Sequence, residues 1–356
     1  MNSRMSARSS HLLASLALTA VLAGCAAPKA EAPAPPPAPV AAVVPPIALS
    51  PRVVEQASAY RAYVTRASAI SPGFASGSDV AQGLTTGEAY EPGQLLRGAI
   101  AYGAVVALQD PAFVAGVRKF AADPDQRRTV AYEIMKDPAY AVGFSGSSSA
   151  AGLVMTALGG DGRRLLTLGH SVHQAAYDVQ HQSWSKAEVS SRQERMELAK
   201  SLSAQPTLGE IAETSRLQMA VSGSGQLGLT GGESASPPYT PLVIHSLAVA
   251  ALAALGYADD ASLAQVMPIL SDPASATCLS MSKLNLYQCL AVAKPHYEDV
   301  FCLGQHVLED TGHCLMKGAG VTEPADPRVQ AAAEAALQKA STTTTVKSHA
   351  KKRSRN

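Results

Sequence analysis

Pairs of aspartate and proline divide the middle of this 356-residue chain into short segments. They lie at 110–111, 123–124, 137–138, 272–273 and 326–327, and Ser50-Pro51 follows the same pattern. A side-chain oxygen before the proline can accept hydrogen bonds from the free amides of a first helical turn, and proline loses nothing at the first helical position. The sequence between the pairs is rich in alanine and shows little β-type alternation. We therefore expect helices to begin at these pairs and the fold to be mainly α, a helical bundle or array.

Glycine, serine and proline concentrate in residues 222–241, which separate two helical blocks at 51–221 and 242–320. This connection is either a linker or a long functional loop. In the second block, residues 242–257 are almost wholly apolar but too few to span a membrane, so we expect a buried central helix. Residues 321–356 have the composition of a disordered tail, and five lysines and arginines stand in its last ten residues.

The first 24 residues have the pattern of an export signal. Arg4 and Arg8 make a cationic start, and an apolar run extends from residue 12 to residue 22. The run ends in Leu22-Ala-Gly-Cys25, which resembles the lipobox of bacterial lipoproteins. This resemblance covers residues 1–27 and implies that Cys25 becomes the first mature residue and carries the lipid. Ala26 stands where an inner-membrane retention signal has aspartate, which implies the outer membrane. The alternative is an ordinary signal peptide with a coincidental cysteine.

The stretch that follows the lipobox, residues 25–50, is rich in alanine and proline. Such a segment favours extended polyproline II and cannot build a core. At about 3.1 Å per residue it would hold a folded body several tens of ångströms from the membrane. We interpret it as a tether, and we recognise no family for the body beyond it.

Four further cysteines lie in the second helical block: Cys278, Cys289, Cys302 and Cys314. An even number in an exported chain favours two disulfides, and no spacing matches the Cys-x₂₋₄-Cys of the rival reading, a zinc site. Cys278 and Cys289 would lie about 16 Å apart along one helix, too far to pair. Lys294-Pro295 offers a break between two antiparallel helices. A disulfide-stapled helical hairpin with nested bridges, Cys278–Cys314 and Cys289–Cys302, is the pairing that fits, a pattern similar to that of twin-cysteine hairpins.

Five ring-bearing residues share one helical face by their spacing: His170, His173, Tyr177, His181 and Trp184. Neutral imidazoles at positions 170, 173 and 181 could bind a metal, and the whole face could line a small-ligand pocket. The third possibility is an amphipathic face packed on the core with its polar tips satisfied. No carboxylate stands among the five to complete a bundle-type metal centre.

The charge balance limits the classes of function. The formal net charge is +1, and residues 26–346 are mildly acidic once the leader and the basic end are set aside, which excludes a dedicated nucleic-acid binder. We predict no catalytic residue and no cofactor. The favoured interpretation is a noncatalytic scaffold or binding module, lipid-anchored in the outer membrane and facing the periplasm, with an envelope protein, peptidoglycan or lipopolysaccharide as partner. The alternative is a periplasmic enzyme or a metal or small-ligand binder that uses the histidine face.

The anchor can be tested at Cys25. We expect Cys25→Ser to abolish metabolic labelling with palmitate and to release the protein from the membrane fraction, because serine lacks the thiol that accepts the lipid. Ala30→Ser, a change of similar size five residues later, should stay labelled and membrane-bound. A Cys25→Ser protein that still fractionates with membranes after a salt wash would contradict the lipoprotein interpretation.

Overall fold

The computed structural model describes residues 44–229, 232–326, 329–330 and 333–337, so the leader, Cys25, most of the tether and the basic end lie outside the described residues. The described residues are predominantly helical and contain no β-strand, which confirms the mainly α prediction. The α-helices with defined bounds are α1 (Pro51–Ala67), α2 (Gly77–Glu88), α3 (Pro92–Ala107), α4 (Pro111–Arg118), α5 (Pro124–Lys136), α6 (Ser147–Asp178), α7 (Ser183–Lys186), α8 (Arg192–Ala204), α9 (Ile211–Val221), α10 (Pro241–Leu255), α11 (Leu263–Val266), α12 (Pro273–Val292), α13 (His296–Cys302) and α14 (Asp310–Ala319). A π-helical segment, Leu303–Glu309, joins α13 to α14.

Most of the Asp-Pro pairs do begin α-helices. The side chains of Asp110, Asp123 and Asp272 accept hydrogen bonds from amides in the first turns of α4, α5 and α12, as Ser50 does for α1. Asp137 instead caps a short 3₁₀ helix, Pro138–Gly143, which ends where the backbone becomes extended at Phe144. Pro327 of the last pair lies outside the described residues.

The two predicted helical blocks pack together around α3 and α10, whose side chains are almost all buried. The apolar stretch after residue 241 is thus a buried central helix, as expected. No single helix in the described residues is both long and apolar enough to cross a bilayer, although α3 and α4 together, bent by 86°, match a span in length and composition. The connection between the blocks is non-helical where it is described and lies against α6, with the Ala235 amide donating to the Ser148 carbonyl (3.0 Å).

The predicted tether and tail are both shorter than the sequence suggested. Residues 44–50 pack on the body: the Ala48 amide donates to the Ala253 carbonyl (3.2 Å), the Ser50 amide donates to the Ala258 carbonyl (2.6 Å), and Leu49 is buried. At the other end, Val321 packs on the core over Gly159. The folded body therefore includes residues 44–50 and Val321, because apolar side chains there pack on the core.

Residues 159–162, Gly-Gly-Asp-Gly, look like a turn in the sequence but lie inside α6. A Cβ on Gly162 would come within 2.8 Å of the Gly312 carbonyl oxygen, so a glycine there permits α6 and α14 to touch. Asp161 is buried, and its carboxylate accepts hydrogen bonds from Tyr60 (3.0 Å) and Arg61 (2.7 Å) of α1. Close packing and a satisfied buried carboxylate outweigh the weak helix propensity of three glycines.

Both predicted disulfides are present. Cys278–Cys314 and Cys289–Cys302 each join Cα atoms 5.7 Å apart. They staple α12 to the antiparallel helices α13 and α14, and the break between them falls at Ala293–Pro295. The stapled helical hairpin of the prediction is confirmed.

The bridges should stabilise this hairpin by reducing the conformational entropy of the unfolded chain. The inner bridge spans 13 residues and the outer bridge 36. We expect Cys289→Ala with Cys302→Ala to cost roughly 3 kcal/mol of unfolding free energy, and the corresponding outer pair roughly 4 kcal/mol. Urea denaturation of the full chain measures both losses. Non-reducing peptide mapping is the control, and a Cys278–Cys289 peptide would contradict the hairpin.

Candidate functional site

The predicted histidine face is only partly continuous. Helix α6 ends at Asp178, so it carries His170, His173 and Tyr177, whereas His181 and Trp184 lie beyond the break. His181 and Tyr177 are exposed, and Trp184 is half-buried. The predicted face requires an unbroken α-helix through residue 184. Instead, α6 gives way to a 3₁₀ helix at Val179–His181, and the backbone is extended at Gln182, so the five residues fall into two groups.

The first group meets a carboxylate that the sequence did not place there. Glu309, from the π-helical segment, has Oε1 3.1 Å from His173 Nδ1 and Oε2 4.0 Å from His170 Nε2. The edge of the His173 ring packs on Phe301, with centroids 4.4 Å apart. No group of three or more metal-ligating side chains occurs within the described ranges. The contact therefore joins α6 to the π-helical segment. It agrees with the third possibility, an amphipathic face that packs on the core.

The second group leads to a different site. The Trp184 ring lies 6.4 Å from the His296 ring, at the start of α13, and His296 closes over the Cα of Gly77 at the start of α2. A Cβ on Gly77 would come within 2.4 Å of the imidazole, so a larger residue here would displace the His296 ring. His296 and Gly77 form one edge of a pocket of about 290 Å³.

We call this cavity the Glu88 pocket. Its walls come from three helices, which supply Ala81, Leu84 and Glu88 from α2, Arg195 and Leu198 from α8, and Asp299 from α13. Its volume lies at the lower end of the range for small-ligand sites. Apolar side chains with a few convergent charged groups are the composition expected of such a site.

One wall is fixed by a buried ion pair. The Arg195 guanidinium donates through Nη1 to both carboxylate oxygens of Asp299, and through Nη2 to the Leu290 carbonyl (2.6 Å). That carbonyl belongs to the last turn of α12, where carbonyls lack helical partners. Burial raises the pKa of Asp299 above its ordinary value, and Arg195 opposes that shift. Arg195 thus joins α8, α12 and α13.

A second cation lies behind the pocket. Lys283 of α12 is buried, and its ammonium donates to the Glu88 carbonyl (2.5 Å) and lies 3.5 Å from the centre of the Tyr90 ring. Glu88 is the last residue of α2, so the lysine satisfies a carbonyl at the negative end of a helix. Burial lowers the pKa of Lys283 to about 7, although the charge of Glu88 opposes this.

The Glu88 side chain has one carboxyl oxygen that no neighbouring group binds directly. The residue is 2% exposed, and its Oε2 accepts no hydrogen bond from any described residue. Burial and the nearby Asp299 raise the pKa of Glu88 to about 7, while Lys283 and Arg195 act in the opposite direction. A carboxyl that is buried, unpartnered and in a cavity is a recognised mark of a functional site.

Sequence reasoning missed this site, although a signal was present. Lys283 stands four residues after Leu279 and three before Leu286, both buried on the inner face of α12. Glu88 stands four residues after Leu84 on the buried face of α2. A charged residue in the register of an apolar face is rare unless it is paired or functional. The meeting of α2, α8 and α13 could not be read from that register.

Three comparisons with known proteins add no relative. No family model, no curated protein and no solved structure matches this chain.

Proposed function

We propose that this protein is a noncatalytic binding module, lipid-anchored in the bacterial outer membrane and facing the periplasm, and that it captures a small molecule in the Glu88 pocket. Two independent parts of the chain support the proposal. The leader and its lipobox-like ending at Cys25 support the anchor and the compartment. The pocket supports the binding of a small molecule rather than of a broad macromolecular surface.

The observation that carries the binding proposal is the buried carboxyl of Glu88. Leaving a buried polar atom unpaired costs about 1–3 kcal/mol, and more when the group is charged. A core position would relieve that cost with an apolar residue or an internal partner, whereas a binding site recovers it when the ligand arrives. The groups around Glu88 are already occupied: Asp299 binds Arg195, and Lys283 binds a backbone carbonyl.

The compartment is consistent with the covalent structure of the body. Two disulfides staple the helices that supply Asp299 and Lys283, and such bridges persist where the environment is oxidising. A soluble small molecule could reach the pocket from the periplasm while the tether keeps the body near the membrane. The histidine face, whose buried contact with Glu309 holds two helices together, has no part in this proposal.

Blocking the pocket tests the proposal. Ala81 is exposed on α2 at the pocket, so Ala81→Trp should fill the mouth without disturbing the core. We expect native mass spectrometry of the full chain purified from envelopes, or incubated with an envelope small-molecule extract, to show a bound species that is reduced at least about tenfold in Ala81→Trp. A tenfold change corresponds to about 1.4 kcal/mol.

The matched control is Ala115→Trp, the same change at an exposed position of α4, a helix that does not line the pocket. It should retain the bound species at the wild-type level. Equal retention in both variants, or no bound species and no thermal stabilisation of the wild-type chain by the extract, would contradict a binding role for the Glu88 pocket.

A further inference from the structure

We propose that the ligand of the Glu88 pocket carries a primary ammonium group on a short aliphatic chain, and that Glu88 is its counter-ion. The inference rests on the proposed function and specifies the chemistry of that same site. Its basis is the position of Glu88 Oε2, which is buried at the pocket and has no hydrogen-bond partner among the residues the structure describes.

The neighbouring cations act on Glu88 through space but donate no hydrogen bond to its Oε2. Lys283 directs its ammonium at the backbone carbonyl of Glu88 and at the Tyr90 ring. Both Nη atoms of Arg195 are taken, one by Asp299 and the other by the end of α12. Arg195 Nε has no partner, but its charge is already balanced by Asp299. Lys283 and Arg195 lower the pKa of Glu88 through space, but neither donates a hydrogen bond to its Oε2, so this oxygen keeps a hydrogen-bonding capacity that an external ammonium can use.

The charge of the pocket favours a cation over an anion. Glu88, Glu194 and Asp299 contribute three carboxyl groups, against one guanidinium and the imidazole of His296. An anionic ligand would face an excess of like charge, which costs affinity. The carboxylates do not form a metal site: a hard divalent cation takes six or more oxygen ligands, and the described residues contain no metal-ligating group of three.

The remaining walls determine the body of the ligand. Ala81, Leu84 and Leu198 present apolar atoms around the carboxyl. They suit methylene groups, which gain free energy when apolar walls remove them from water. The volume of about 290 Å³ fits a small molecule. A ligand of this kind would place its ammonium at Glu88 and a few methylene groups against Leu84 and Leu198.

Binding of such a ligand should depend on pH in a defined direction. The ionised form of Glu88 attracts the ammonium, and its protonated form does not. The charged and titratable groups around Glu88 are Lys283 from α12, His296 and Asp299 from α13, and Arg195 with Glu194 from α8. The charge of Lys283 acts in both directions, because it lowers the pKa of Glu88 and also repels a second cation. Affinity should rise about tenfold between pH 6 and pH 8, as the competent fraction of Glu88 increases.

The test uses three probes of one size, n-butylammonium, n-butanol and butyrate, with the full chain at pH 8. For ligands this small we expect a Kd on the order of 1 mM for n-butylammonium, measured by ligand-observed NMR. Binding of n-butanol and butyrate should be at least about tenfold weaker. Glu88→Gln should weaken n-butylammonium binding about tenfold and abolish its pH dependence. Glu197→Gln, on the exposed side of α8, should leave both unchanged.

The outcomes separate the two proposals. If n-butylammonium binds no better than n-butanol, or equally well to Glu88→Gln, while Ala81→Trp still displaces a small molecule from the envelope, the ammonium assignment is wrong and the binding role stands. If no probe binds and Ala81→Trp displaces nothing, both are wrong. Thermal unfolding shows whether Glu88→Gln is folded. If it is not, n-butylammonium binding is measured on Ala81→Trp and on Ala115→Trp: loss in Ala81→Trp alone supports binding in this pocket, and equal binding to both contradicts it.

Discussion

The Arg195–Asp299 ion pair is the interaction on which the site depends. It joins α8 to α13, and the second half of the guanidinium ends α12 by binding the Leu290 carbonyl. Removing one partner of a buried ion pair is strongly destabilising, because it leaves the other charge buried and uncompensated. The three helices must therefore pack in a way that keeps this contact. The Cys289–Cys302 bridge fixes the same junction covalently. The pocket is the space that remains where α2 packs on this frame.

The other buried charged side chains each contact a polar group, an opposite charge or an aromatic ring, whereas the Glu88 Oε2 accepts no hydrogen bond. Lys283 finds the carbonyl at the end of α2 and the Tyr90 ring, and Asp161, elsewhere in the fold, accepts hydrogen bonds from Tyr60 and Arg61. The Oε2 of Glu88, in contrast, belongs to a carboxyl that lines the pocket and has no hydrogen-bond partner among the described residues. The ammonium group of the proposed ligand would give this carboxylate a partner of opposite charge.

Local signals in the sequence predicted much of the fold but not the site. Asp110, Asp123 and Asp272 mark helix starts because capping involves only neighbouring residues, and the cysteine pairing follows from helix geometry and one break at Pro295. The five ring-bearing residues do not share one continuous α-helix, because spacing alone cannot reveal that α6 ends at Asp178. Glu309 and Glu88 lie close to residues from helices that are distant in the sequence. Residue spacing does not reveal such tertiary contacts. The anchor at Cys25 remains a prediction, since it lies outside the described residues.

The central claim is that Glu88 is a buried carboxyl without a partner, and its titration tests this directly. A ¹³C NMR titration of the full chain, with the Glu88 carboxyl signal assigned by its loss in Glu88→Gln, measures the midpoint. The structure predicts a midpoint near pH 7, because burial and Asp299 disfavour the charged form. A midpoint at about 4.3, the ordinary value for glutamate, would mean that water or another residue already satisfies the carboxylate, and the account of the pocket would be wrong.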